Sequence, residues 1–355
     1  MGLKQGGAGQ SRLSVVTVCM NRRDHLWRTA PLVAQLPWHD EHLIVDWSSR
    51  DPLRRQDLPA DPRLRLVRVE GEARWNLCRA YNFAFARARG EVILKLDADA
   101  WPTERFDPAA VQLQARADDP SRQPVLCAFG SGPEGRKGQF LIERRLLAAV
   151  GGFNELLVGY GFDDKDLLAR LGMQLGIQPA PIPEDWLAVI AHSDGERAER
   201  GPGDGSSTIA RNHGEAAMRA TRLANRLVAA HCPWGPRSRA SLYQQDNPGR
   251  WRVDPATVPH PPGAVAAEIE HACRMTFWGH FLAIPEVFLE VLPYRLFPPS
   301  HRGQWDVRPW HRIWWYTGRQ LLQLPVRLVV GAMELARGRQ GRLGPKGGRA
   351  PGEGS

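Results

Sequence analysis

Cysteine is scarce in this 355-residue chain: Cys19, Cys78, Cys127, Cys232 and Cys273 are scattered, odd in number and never spaced C-x-x-C. That excludes a zinc ribbon, argues against a disulfide framework and points to a reducing compartment. Long apolar runs are missing as well. Nowhere do about 18 uninterrupted apolar residues occur, so no helix is expected to span a bilayer. Met1 to Gln10 is polar and Gly-rich without an apolar core, so no signal peptide is expected and the chain reads as cytoplasmic. No G-x-G-x-x-G follows the first apolar strand, which argues against a dinucleotide cofactor. No G-x-x-x-x-G-K-[ST] occurs, which excludes a P-loop. Lysine is nearly absent: only Lys4, Lys95, Lys137, Lys165 and Lys346 among 47 basic residues. The basic surface is therefore arginine, which clamps phosphates bidentately.

Acidic residues are sparse in the last 55 positions, where ten basic and three acidic residues supply +7 of the formal +9. No nucleic-acid recognition signature accompanies that charge, so no nucleic-acid partner is expected. An anionic membrane surface or a phosphorylated substrate fits it. The 43% hydrophobic and 24% charged content is that of a globular protein, and the length implies two domains or one domain with additions.

The chain is organised around Val92-Ile93-Leu94-Lys95-Leu96-Asp97-Ala98-Asp99-Ala100-Trp101-Pro102. Val92 to Leu96 reads as a buried strand, and Pro102 stops it. Side chains at i and i+2 of an extended segment point the same way, so Asp97 and Asp99 can converge on one ligand beyond a strand's carboxyl end. Two like charges there call for a positive partner, and a hard divalent cation carrying phosphate oxygens answers that need. An aspartate-nucleophile phosphatase would want Thr or Val where Trp101 stands.

Leu13 to Met20, His42 to Val45 and Leu64 to Val69 read as further strands, alternating with helices from Asp24 (its N-cap) to Leu36 and from Trp75 to Ala88. That alternation predicts right-handed βαβ units and a mostly parallel α/β sheet. Polar residues collect after each strand: Asn21 and Arg22, Asp46 and Ser48, Asp97 and Asp99. Strands at Val125–Phe129 and Gln139–Ile142 and a short helix through Val150 begin the second half. Glycines spaced through 151–161 suggest a mobile lid, and a helix begins at Asp163-Asp164-Lys165-Asp166 with Asp163 as its N-cap. Trp251 to Val253 reads as a strand. Thr208–His231 and Ala264–Leu292 have helical patterns. Trp310 to Arg337 carries Trp310, Trp314, Leu321, Leu324, Leu328 and Leu335 near one stripe with arginines around it, the pattern of a segment lying on a membrane surface.

The segment from Ser14 to about Ser193 resembles a family 2 (GT-A fold) glycosyltransferase, and its second half resembles the C-terminal catalytic region of β-1,4-galactosyltransferases and of bacterial chondroitin polymerase. Three features carry the likeness: LKLDADAWP; G-G-F-N-E followed by G-Y-G-F-D-D-K-D; and Ile190-Ala191-His192-Ser193. The resemblance implies a GT-A fold with a C-terminal helical extension. Its parts would be a tail (1–10), a nucleotide-sugar-binding half (11–120), an acceptor-binding half (121–200), a helical subdomain (201–300), a basic amphipathic segment (301–340) and a second tail (341–355).

Residue by residue, the resemblance implies that Asp99 and His192 ligate Mn²⁺ (or Mg²⁺), with Asp97 near the ribose or the metal. Asp46 would read the uridine, with Thr17, Asn21, Arg22 and Ser48 flanking it. Asn82 matches the Asn of an A-R-N element in which Tyr81 replaces the Arg, so that charge compensation there either falls to Arg79 or is absent. Asp164 matches the catalytic base, Asp163 the residue that holds acceptor hydroxyls, and Gly152, Tyr160, Gly161 and Phe162 the acceptor side and lid. The implied function is an inverting, metal-dependent transfer of a sugar, Gal or GalNAc by resemblance, from a UDP-sugar to a glycan or lipid-linked acceptor. The rivals are a retaining transferase of the same fold and an inactive carbohydrate- or nucleotide-binding protein.

Overall fold

The computed structural model describes residues 12–114, 124–133, 135–159, 161–191, 225, 226, 228, 229, 232–263, 266 and 267, and scattered positions between 321 and 336. The expected tails (1–10 and 341–355), Tyr160, His192, most of the helical patterns 208–231 and 264–292, and the tryptophans of 310–314 lie outside those residues.

The strands in chain order are β1 (Leu13–Cys19), β2 (Glu41–Trp47), β3 (Leu64–Glu70), β4 (Val92–Asp97), β5 (Ala100–Pro102), β6 (Leu113–Gln114), β7 (Val125–Gly130), β8 (Phe140–Glu143), β9 (Ala180–Ile182), β10 (Leu187–Val189), β11 (Tyr243–Asn247) and β12 (Arg250–Val253). The helices are α1 (Arg23–Ala34), α2 (Leu77–Arg87), α3 (Arg144–Ala149) and α4 (Asp163–Leu175). Among the described residues the main sheet runs β11-β12-β3-β2-β1-β4-β8-β7-β6, with β9 beside β7. Strands β12, β3, β2, β1 and β4 are mutually parallel, while β8 returns antiparallel to β4 and β7 antiparallel to β8. The mostly parallel α/β expectation holds. β1 and β2 are buried at every position because helices cover both faces.

Local chemistry departs from the sequence reading in four places. Asp24 is not a cap: Arg22 occupies that position without a side-chain bond, and Asp24 lies in the first turn, where its charge favours the helix dipole. Asp163 is not a cap either; Phe162 holds that place in a left-handed conformation (φ +76°). The true capping side chain is Asn76, which accepts from the Arg79 N–H at the start of α2. Finally, the expected strand Trp251–Val253 is the second arm of a hairpin, residues 243–253, that lies within the 201–300 segment expected to be helical and extends the main sheet from β3. The hairpin is held by aromatic packing: Arg87 lies between the rings of Phe83 (3.6 Å) and Trp251 (3.7 Å), and Tyr243 packs on Phe83 and Trp47.

Candidate active site

All three non-glycine residues with positive φ among the described residues, Asn21 (+56°), Ser48 (+51°) and Phe162 (+76°), sit in loops singled out from the sequence. Each costs local strain that the surroundings must hold in place, and such strain concentrates at functional sites. Asn21 and Ser48 follow β1 and β2, and the two loops are stitched together. The Asn21 N–H donates to Ser49 Oγ (3.0 Å), and the Arg50 N–H donates to Asn21 Oδ1 (2.9 Å). Asp46 is buried at the end of β2, accepting from the Ser49 and Leu53 N–H groups and from the Arg68 guanidinium. Ser48 Oγ donates to the Val69 carbonyl and accepts from the Glu72 N–H. Thr17 is buried with its hydroxyl 3.2 Å from His42 Nε2. Thus Asn21, Asp46 and Ser48 shape the rim beyond β1 and β2, while Thr17 belongs to the packing beneath it; Arg22 is half-buried at the start of α1.

β4 delivers the acidic pair. Asp97 ends the strand and Asp99 sits in the turn to β5. Asp97 is ringed by donors: Lys95 Nζ (2.8 Å) and the Tyr81 hydroxyl (3.0 Å) on Oδ1, and Gln139 Nε2 (2.7 Å) on Oδ2. The Asp97 N–H donates back to Gln139 Oε1 (2.8 Å). Burial alone would raise the Asp97 pKa, but Lys95 and these hydrogen bonds outweigh it and hold the carboxylate below its ordinary range. Lys95 itself is 1% exposed. Burial disfavours its charge, while Asp97, Asp164 and Asp163 more than offset that, so its pKa stands above the ordinary lysine value.

The charge of Asp97 is therefore compensated by Lys95. Arg79 pairs instead with Glu72, whose other oxygen accepts from the Tyr243 hydroxyl (3.0 Å). Lys95 was hidden inside an apolar strand; the clue was its i−2 spacing from Asp97, which puts both side chains on one face.

Asp164 arrives from the other half of the fold. An added Cβ on Gly138 would lie 3.3 Å from Asp164 Oδ2, 3.5 Å from Asp97 Oδ2 and 3.7 Å from Lys95 Nζ, so the three groups meet across that glycine. Asp164 Oδ1 is buried without a hydrogen-bond partner. Burial first, then the charge of Asp163, raises the Asp164 pKa well above the ordinary carboxylate value, and burial raises that of Asp163. A carboxyl whose proton affinity is raised, with an unengaged oxygen, is suited to taking a proton from a hydroxyl.

The described residues of the stretch 151–162 are tied to the rest of the fold by side-chain hydrogen bonds. Asn82 donates to the Phe153 carbonyl and to Glu155 Oε1 (both 2.9 Å) and accepts from the Phe153 N–H (2.7 Å), so its amide holds this loop. A Cβ on Gly152 would collide with Asn82. Arg170 donates to the carbonyls of Val150 and Gly152 (2.7 Å each). Asn225 bonds both Val158 N–H and carbonyl and reaches the Gly161 carbonyl (2.7 Å). The glycines there serve positive φ and close approach (Gly152 +68°, Gly161 +86°). No sequence pattern pointed to Asn225, because its partners are 64 to 67 residues away.

β10 pairs with β5, and the Ile190 N–H donates to the Asp99 carbonyl (2.8 Å), two residues before His192. Among the described residues no three His, Cys, Asp or Glu side chains come together to hold a metal ion.

The mostly parallel α/β sheet, with an acidic pair beyond its central strand and a carboxylate from a second half beside it, is a GT-A-like fold. Residues 14–144 match the family described as Glycosyl transferase family 2. No curated protein matches the chain. Similar solved structures include glucosyl-3-phosphoglycerate synthase from Mycobacterium tuberculosis, solved with Mn²⁺, UDP and glucosyl-3-phosphoglycerate. It is 18% identical over 66% of this chain and 84% of that one, with a TM-score of 0.41. A mannosyltransferase from Pyrobaculum calidifontis, solved with GDP-Man and Mn²⁺, is 15% identical over 90% and 87%, with a TM-score of 0.43. The catalytic domain of Drosophila β-1,4-galactosyltransferase 7, solved with xylobiose, is 12% identical over 69% and 93%, with a TM-score of 0.40.

Proposed function

We propose that the protein is an inverting glycosyltransferase that moves a hexose from a UDP-sugar to a glycan or lipid-linked hydroxyl, with Asp164 as base. The observation that carries this reading is the meeting of Asp97 and Asp164 across Gly138, one from the family-matched half and one from outside it. The donor lies beyond β1, β2 and β4, in the loops of Asn21, Ser48 and Asp97, and the acceptor hydroxyl approaches the unpartnered Oδ1 of Asp164. Asp163 lies beside the base to hold acceptor hydroxyls. A single base and a single displacement invert the anomeric centre; a product retaining the donor's configuration would remove Asp164 from that role. Gal and GalNAc are the donors favoured by the sequence resemblance.

A divalent cation, Mn²⁺ or Mg²⁺, fits the chemistry of the donor set: the Asp99 carboxylate, with His192 following a strand whose end bonds the Asp99 backbone. Bound there, the cation would neutralise charge on the departing diphosphate. Calorimetric titration with a panel of nucleotide sugars, with and without Mn²⁺, tests this. UDP-sugars should bind with a metal requirement, and Asp99→Ala should abolish that requirement; unchanged metal-dependent binding in the variant overturns the assignment.

Peripheral attachment to an anionic membrane on the cytoplasmic side accompanies this reading. Leu321, Leu324, Leu328, Val329 and Leu335 are helical and exposed, in a stretch rich in arginine, and no helix among the described residues is long and apolar enough to cross a membrane. Sedimentation with phosphatidylglycerol vesicles should retain the wild type and release the Leu324→Glu/Leu328→Glu variant. Equal retention of both sinks the idea. Among the described residues the four cysteines are unpaired and three of them are buried, in keeping with a reducing compartment.

A further inference from the structure

Lys95 is a lysine with almost no access to water, and its surroundings join four separate pieces of the chain. Its ammonium donates to Asp97 Oδ1 (2.8 Å) and to the Gly138 carbonyl (2.7 Å) and lies 4.6 Å from the centre of the Tyr81 ring. Those partners come from β4, from the short turn Arg136–Gly138 and from α2. The fourth piece is α4, whose Asp164 reaches the same spot across Gly138. Register explains the meeting: Lys95 stands opposite Phe140 in the β4–β8 ladder, so Gly138 and Gln139 run beside Asp97. A buried ammonium is costly unless compensated, and replacing such a pair by apolar groups is often neutral or stabilising. Hence packing gives no reason for Lys95. Its place gives one: it is a fixed cation paired with the strand-end carboxylate and gathered with the carboxylate assigned as base around Gly138.

We propose that Lys95 is a positioning residue, whose ammonium holds Asp97 and the Gly138 turn and thereby sets where Asp164 stands relative to the donor. This rests on the function proposed above. Tyr81 and Gln139 also donate to Asp97, so loss of Lys95 leaves that carboxylate hydrogen-bonded but removes the cation shared with Asp164. The consequence falls on the transfer step more than on donor binding.

The test is steady-state transfer by the full-length protein, with UDP binding measured separately by calorimetry. Lys95→Met should lower kcat by about 100-fold, the cost of misplacing a reacting group by near 1 Å. Donor KM and UDP affinity should stay within about threefold. Tyr81→Phe, which removes an uncharged donor to the same oxygen, should leave kcat within about threefold as well. Lys95→Gln keeps hydrogen bonds without charge and replaces Lys95→Met should the latter fail to fold. A Gln variant with wild-type kcat overturns the proposal. So does a loss of UDP affinity equal to the loss of kcat, which would make Lys95 a donor-binding group only. Asp164→Asn is assayed alongside. If it loses transfer while Lys95→Met keeps it, Lys95 falls and the proposed function stands; if neither variant affects transfer, the proposed function itself falls.

Discussion

Asp164→Asn should bind UDP-sugar as the wild type does, lose transfer by about 10²–10⁴-fold, and melt at the same temperature or higher. The amide is isosteric, so the approach of α4 to Gly138 is kept. What disappears is a group able to take the acceptor's proton. The stability half follows from the direction of the pKa. Burial, then the neighbouring Asp163, holds the folded-state pKa of Asp164 well above its ordinary value. A carboxyl shifted that way binds more protons folded than unfolded, so it costs stability above its ordinary pKa, increasingly until pH passes the folded value. Asn removes that cost. Gain of stability with loss of function at one position is the signature of a group kept for chemistry. Retention of a tenth or more of the transfer rate would remove Asp164 from the mechanism, and a large fall in melting temperature would show its role to be structural.

Arg170→Met should destabilise the fold by roughly 3–5 kcal/mol, because it strands a buried partner. Arg170 pairs with Asp166 (2.8 Å) with both side chains almost wholly buried, and it donates to the Val150 and Gly152 carbonyls. Without it, Asp166 keeps a buried charge and two carbonyls lose their donor. Burial already raises the Asp166 pKa against the opposing pull of Arg170, and removing the arginine raises it further. The unfolded chain then releases a proton that the folded chain retains, so the variant loses stability as pH climbs above the ordinary carboxylate value. Chemical denaturation at pH 5 and pH 8 should therefore show the larger deficit at pH 8. Arg170→Met/Asp166→Asn should recover part of it. A deficit below about 1 kcal/mol at both pH values would mean that water reaches this pair and that α4 is anchored elsewhere.

Much of the fold was legible because parallel strands covered on both faces must be continuous apolar runs, and β1 to β4 were read to within a few residues on that ground. The acidic end of β4 and the Asp cluster opening α4 were legible for a related reason: carboxylates crowded in sequence need a purpose that packing does not supply. The caps were less legible. Asp24 and Asp163 obey the local preference for a capping residue, yet the chain enters α1 and α4 by conformations set elsewhere, at the end of β1 and in the left-handed Phe162. Short-range propensity yields when a tertiary contact decides the entry angle. The strand Trp251–Val253 was legible, but its partner strand and its place on the main sheet were not, because their company is distant: Trp251 and Tyr243 pack on Phe83, some 160 residues earlier.

By itself the sequence determined the class of fold, the acidic pair, the likeness to family 2 glycosyltransferases and the Asp163-Asp164 cluster, since periodicity and local spacing are written along the chain. Tertiary structure alone decided that Lys95 pairs with Asp97 while Arg79 pairs with Glu72, that Asn82, Asn225 and Arg170 hydrogen-bond the glycine-rich stretch, and that Asp97 and Asp164 share one floor at Gly138. Those are meetings across tens of residues. Charge compensation and close approach depend on distance in space, and a linear spacing carries no record of which of several candidate partners the packed sheet brings within reach.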